Sequence, residues 1–290
     1  MKGYFTEQNY KGTMPYTDLA LERRRADIHI PGVEYKKEST AIGSWEKIKI
    51  STKRGAESIG RPIGIYNTFC TERIDLMDSR EIDYAKDEIA AELCNILDES
   101  DVFPGRLLIA GLGNPYLTPD SVGCESAKAI KPTMHIKEFD RRMFEKLSCA
   151  ELAVIIPGVM ANSGLDAAIT LRGICDIIKP EAVIVIDALC SRSVERLGRT
   201  VQICNTGLSP GSGLGNCRIS IGAETLGVPV IAIGVPTVID SRSLCSEQAL
   251  DLCTKNSVPM FVSPKEINEI VSASAEIISG GINRAFGIYP

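Results

Sequence analysis

At 290 residues, with 44% hydrophobic and 24% charged side chains, the chain can bury a sizeable core, as one large α/β domain or two small ones. A net charge of −5 gives no general attraction to nucleic acid or to an anionic membrane, and the densest basic run, Glu22-Arg23-Arg24-Arg25, is short. There is no apolar run of membrane-spanning length, no signal peptide and no C-x-x-C pair among ten cysteines, so we expect a reduced, intracellular protein whose cysteines are mostly buried packing residues, with a reactive thiol at Cys190 or Cys217 as the alternative.

Residues 1–40 are polar, lack sustained periodicity and are broken by Pro15 and Pro31, which reads as a tail lying on the surface. The alternation in WEKIKIS, from Trp45 to Ser51, predicts a strand. GRPIGIYNTFC, ending at Cys70, predicts a second strand antiparallel to it, so that a small β-rich part spans about 40–75. Residues 81–98 carry apolar side chains at helical spacing, with Asp78 and Ser79 available as N-caps. From there the pattern is strand, loop, helix. RLLIA (Arg106–Ala110) leads into a GLGN turn. AVII (Ala153–Ile156) precedes the turn Pro157-Gly158 and a helix from about Leu165 to Ile178. VIVI (Val183–Ile186) stops at Asp187, and Thr200–Cys204 and Pro229–Ile233 supply further strands. A last helix begins near Ser263-Pro264-Lys265-Glu266 and runs to about Ile278. This alternation predicts an α/β fold with a mainly parallel or mixed sheet and helices on both faces.

Two aspartates are the leading chemical candidates: Asp120 in GLGNPYLTPDSVG and Asp187 in AVIVIDALCSRS. Strand ends of a parallel sheet open into one crevice, where such folds place their chemistry. A carboxylate there is costly to desolvate unless paired, hydrogen-bonded or protonated. Two that meet push each other's proton affinities apart, so that one serves as base and the other as acid. The plainer readings are that Asp120 complements the dipole of a helix starting at Thr118-Pro119-Asp120-Ser121, and that Asp187 pairs with Arg192 or Arg196. The Gly-x-Gly-Asn turn lacks the third glycine and the downstream acid of a nucleotide-binding loop. Competing groups are scarce. His29 lies in the tail and His135 in a segment read as strand or edge, and neither Cys190 nor Cys217 has a histidine beside it. A carboxylate metal site from Asp120, Asp187 and Asp240 is an alternative, although Asp240 reads better as a solvated turn residue. The glycine-rich run from Thr206 to Asn216 reads as a flap or a connector, and Pro157–Gly164 as a further crevice loop.

The stretches TDLALE (17–22), GLGNPYLTPDSVG (111–123), PGVMANSG (157–164), IDALCSRSVERLGRTVQICNTG (186–207), SPGSGLGN (209–216) and ETLGVPVIAIGVPTVID (224–240), with SPKEINEI and GGINRAF near the C-terminus, carry a resemblance that covers nearly the whole chain. In them the chain resembles the germination proteases of spore-forming bacteria. The resemblance implies an aspartic-type endopeptidase in a phosphorylase/hydrolase-like α/β fold akin to hydrogenase-maturation proteases, with Asp120 and Asp187 catalytic and neither metal nor cofactor. It further implies a homotetrameric zymogen of the spore core that degrades small acid-soluble DNA-coating proteins at germination, without binding nucleic acid or membrane itself. Cleavage after an acidic residue followed by an apolar one would place self-processing between Asp18 and Leu19. Residues 1–18 are then a propeptide and residues 19–290 a single catalytic domain. The chain departs from the family at Asp166, where glutamate is usual, at Pro115, and at Lys255-Asn256, where a long charged insertion is usual; these bear on substrate fit and oligomer contacts. The competing readings are a metal-dependent maturation peptidase on the same carboxylates, a peptidyl-tRNA-hydrolase-like esterase suggested by LIAGLGNP, and a nucleotide-binding regulator. The esterase reading lapses at Thr118-Pro119-Asp120, where it needs a histidine.

Overall fold

The apolar strings RLLIA, AVIVI and VIAI lie side by side at the centre of one sheet. In the computed structural model, residues 16–24, 30–102, 105–210, 219–244 and 260–288 are described. Among them nine strands form a mixed sheet: β1 (Val33–Ser39), β2 (Gly43–Ile50), β3 (Gly64–Thr71), β4 (Arg106–Gly111), β5 (Glu151–Ile155), β6 (Ala182–Ser191), β7 (Thr200–Cys204), β8 (Val230–Asp240) and β9 (Phe261–Val262). Their order is β1-β2-β3-β7-β8-β6-β4-β5, with β9 joined to β8. The block β8-β6-β4-β5 is parallel, and every other pairing is antiparallel.

Helices cover both faces. α1 (Lys53–Ile59), α7 (Ala167–Ile178) and α8 (Ala223–Leu226) pack on one, and α2 (Ser79–Asp98), α3 (Val122–Ala129) and α9 (Ile267–Ala285) on the other. The short helices α4 (Met134–Phe139), α5 (Arg141–Leu147) and α6 (Met160–Ser163) lie in connections. The two-residue period of a strand sorts the central side chains: Leu107, Ile109, Ile184 and Ile186 join the α2/α9 core, while Leu108, Ala110, Val183 and Val185 join the α7 core. A strand buried on both faces needs apolar residues at every position, which is why these strings are uninterrupted.

α2 starts on a capping box. The Asp78 carboxylate accepts from the N–H groups of Arg80 and Glu81 at 2.8 and 2.9 Å, and Glu81 accepts from Asp78 N–H at 2.9 Å. Asp78→Ala is expected to lower the unfolding free energy by about 1 kcal/mol in a denaturant titration.

Four details differ from the sequence expectation. Residues 33–39, read as tail, form β1 and pair along their whole length with β2. On this edge strand only Val33 and Tyr35 pack against the core, and its lysines blunt the free edge, so VEYKKES gives little signal. His135 lies on α4 rather than on a strand. β6 runs through Asp187 to Ser191 because β8 extends to Asp240 and continues to pair with it. α9 starts at Ile267 and continues through Gly280-Gly281, where it crosses closely over Lys86 and Ile89 of α2, to Ala285.

Candidate active site

The site lies where the sheet loses a strand. β4 ends at Gly111, paired with Ile186, so Asp187 is the first residue of β6 beyond its neighbour's end. Past it, β6 stays joined to β8 through a bulge between Leu189 and Cys190. By strand alternation Asp187 faces the same side as Val183 and Val185, toward α7. It is 7% exposed, and Ala188 N–H donates to its Oδ1 at 2.9 Å.

Asp120 ends a 3₁₀ turn, Thr118–Asp120, in front of α3. Two anchors hold the turn. Asn114 N–H donates to both the Asp120 carbonyl, at 3.1 Å, and its Oδ2, at 2.9 Å. From the other side Thr237 on β8 donates its hydroxyl to Pro119 O at 2.6 Å. Gly113 makes the first anchor possible: its φ is +99°, and a Cβ there would lie 1.9 Å from the Asp120 carbonyl oxygen. Replacing Thr237 by valine leaves the shape and removes the second anchor. It is expected to cost about 1 kcal/mol of stability and to slow peptide cleavage more than that loss alone explains.

Both carboxylates act on one thiol. Cys124, in the first turn of α3, is pushed up to about 11, first by burial, then by Asp120, with Asp187 a smaller contributor. The two aspartates line one cavity of about 270 Å³, with Leu112, Leu189 and Thr237 among its walls.

Asp18 lines the same cavity. The segment carrying it was expected on the surface, yet Thr17, Leu19 and Ala20 are fully buried. It docks beside the extended part of β6. Asp18 N–H donates to Cys190 O at 2.8 Å, and Cys190 N–H returns to Asp18 Oδ2 at 2.9 Å. The Asp18 carboxylate also accepts from the Tyr16 hydroxyl at 2.7 Å and lies 3.8 Å from the Arg61 guanidinium. Gln202 on β7 straddles the Asp18–Leu19 peptide bond: its Nε2 donates to Asp18 O at 3.3 Å, and its Oε1 accepts from Ala20 N–H at 2.9 Å. Downstream, Glu22 accepts from the N–H groups of Arg192 and Ser193, at 2.6 and 2.8 Å, and from the Thr17 hydroxyl.

Asp120, Asp187 and Asp18 are therefore brought to one cavity, with Leu19 buried behind Asp18. Asp240 does not join them, and it is not solvated. It is 1% exposed and paired with the Arg242 guanidinium. Among the described residues no three His, Cys, Asp or Glu side chains are grouped to hold a metal ion. Arg196 turns to Glu46 and Cys70. Asp166 caps α7 by accepting from Ala168 N–H at 2.9 Å. Gly158 and Val159 line the cavity, as do Leu208, Ser209 and Pro210. His29, Cys217, the remainder of the glycine-rich run and Lys255-Asn256 lie outside the described residues. Sequence reasoning missed Arg61, Gln202 and Thr237. Only Gln202 left a trace, as a polar residue inside the strand TVQIC.

Burial of Cys190 disfavours the thiolate that a nucleophile at this position would need. Its thiol is pushed up to about 12, chiefly by burial and then by Asp18. Native-state alkylation at pH 8, read by mass spectrometry, is expected to modify the exposed Cys94 well before Cys124 or Cys190.

No helix among the described residues is long and apolar enough to cross a membrane. The profile of peptidase family A25, germination protease, matches residues 16–257. A germination protease of Caldanaerobacter subterraneus is 37% identical to this chain over 306 aligned residues, 93% of each chain. One from Clostridium perfringens is 32% identical over 93% of this chain and 94% of its own. One from Bacillus licheniformis is 37% identical over 80% of this chain and 65% of its own. A solved nickel–iron hydrogenase maturation protease of Thermococcus kodakarensis is similar at 21% identity, with a TM-score of 0.34, over 62% of this chain and 94% of that one. A profile match over most of the chain, with relatives above 30% identity along nearly its full length, places this chain in the germination protease family.

Proposed function

We propose that this peptidase is a self-processing zymogen that cleaves its own Asp18–Leu19 bond and then degrades small acid-soluble spore proteins, using Asp120 and Asp187 to activate water. The observation that carries the reading is that Asp18, the residue before the proposed cut, lines the same cavity as the two aspartates. One carboxylate takes a proton from water as its oxygen attacks the scissile carbonyl carbon. The other, protonated, gives its proton to the departing amine as the C–N bond breaks. The pair shares this proton and titrates as a unit. Gln202, whose amide donates to the Asp18 carbonyl, orients that group. No metal or cofactor enters the step.

A tethered segment has a high effective concentration at its own site, which suits it to be the first substrate. Family resemblance supports a homotetramer working in the spore core, and sedimentation of the full chain reads the assembly. The central test is N-terminal sequencing after incubation at mildly acidic pH. The expected result is a new terminus at Leu19 that the Asp187→Asn chain does not produce. A terminus elsewhere, or the same terminus in that variant, would overturn the reading.

A further inference from the structure

Two carboxylates in a cavity repel a third, so the catalytic pair by itself selects against an acidic residue before the cut. Asp18 is nevertheless seated there with its side chain 17% exposed. Donors and cations must hold it. Two of its partners do not distinguish this site as a reader of charge. The Tyr16 hydroxyl belongs to the docked segment and leaves with it, and the Cys190 N–H donates equally well to a neutral acceptor.

Arg61 is different. It follows Gly60, the left-handed cap that ends α1, and so belongs to the body of the protein rather than to the segment. Its Nη2 donates to Thr17 O at 2.8 Å and stands 3.8 Å from Asp18 Oδ1. It thus touches the main chain one residue before the acid and faces the acid itself. Its Nε is buried without a hydrogen-bond partner among the described residues, while the side chain as a whole is 21% exposed, so the guanidinium is partly withdrawn from water and an anion beside it is worth more than on an open surface. Positive charge is concentrated around it. The neighbouring Arg23 guanidinium is held below its ordinary range, first by burial and next by the charge of Arg61, with Arg192 also contributing.

We propose that Arg61 is the specificity-determining residue that reads the acidic side chain before the cut, both in the docked tail and in substrates cleaved in trans. This rests on the reading that the Asp18–Leu19 bond is the one cleaved. Arg61 selects by charge and does not take part in the bond-breaking step.

The test is a double-mutant cycle in the full chain, with the rate of appearance of the Leu19 terminus as readout. Asp18→Asn and Arg61→Gln are each expected to slow it roughly tenfold, the double variant being no slower than either alone. Arg61→Lys, which retains the charge, is expected to keep a preference for aspartate over asparagine at position 18. If the two slowdowns multiply, Arg61 acts on something other than the Asp18 charge and the proposal falls. A second cycle reads the pairing without cleavage. In the Asp187→Asn background, amide hydrogen exchange at residues 18–20 is expected to rise by the same factor for Asp18→Asn, for Arg61→Gln and for both together. Additive effects there would also overturn the proposal. If the unaltered chain never produces the Leu19 terminus, the cleavage reading fails on its own, while the exchange cycle still decides whether Arg61 holds Asp18.

Discussion

Asp187→Asn and Asp120→Asn, made separately in the full chain, are each expected to slow appearance of the Leu19 terminus by at least about a hundredfold, the usual scale of a lost general acid or base. The fold should survive both changes. An asparagine in place of Asp187 keeps an oxygen to accept from Ala188 N–H, and one in place of Asp120 can still accept from Asn114 N–H. What disappears is the capacity to hold and release a proton. Because the pair already shares a proton, either substitution removes at most one negative charge, and the denaturation midpoint is expected to change little. Cys124 reports independently on the same geometry. Both carboxylates push its thiol up, so either substitution is expected to lower its proton affinity, Asp120→Asn more than Asp187→Asn. Near-normal cleavage in either variant would remove the aspartate mechanism, whatever the thiol does.

The central strands and the candidacy of Asp120 and Asp187 were legible because burial on both faces and the cost of desolvating a carboxylate leave local marks: an apolar run, then an isolated acid. Other features leave none. β1 is held by pairing with β2, not by its own pattern. The burial of Leu19 and Ala20 depends on Gln202 and Cys190, more than 170 residues away in sequence. Arg61 sits in a loop, and nothing around SIGRP announces that its guanidinium faces Asp18. Even the strand end at Asp187 is a relative matter. β6 continues, and it is the earlier stop of β4 that opens the crevice. The sequence shows which groups are chemically capable, while the long-range register decides which of them meet.

One glycine lies between the elements that carry the two aspartates. Gly123, in the first turn of α3, lies against the junction of β4 and β6. A Cβ there would fall 2.2 Å from Ile186 O and 2.5 Å from Leu112 O, all backbone with little room to yield. Ile186 O is also the acceptor for Leu112 N–H at 2.8 Å. Gly123→Ala must therefore push α3 off the sheet or break that bond. Asp120 stands just before α3 and Asp187 just after Ile186, so either response moves one carboxylate relative to the other. The expected result is a loss of about 3 kcal/mol of stability, the upper end for forcing an extra methyl into a packed site, together with near-complete loss of cleavage at temperatures where the chain is still folded. Gly173→Ala on α7 is the matched control. A Cβ there meets nothing within 4 Å, and alanine is the better helix former, so a gain of about 1 kcal/mol with unchanged cleavage is expected. If Gly123→Ala lost stability but cleaved normally while folded, the approach of α3 to the sheet would be a matter of packing alone, and the distance between Asp120 and Asp187 would not limit the reaction.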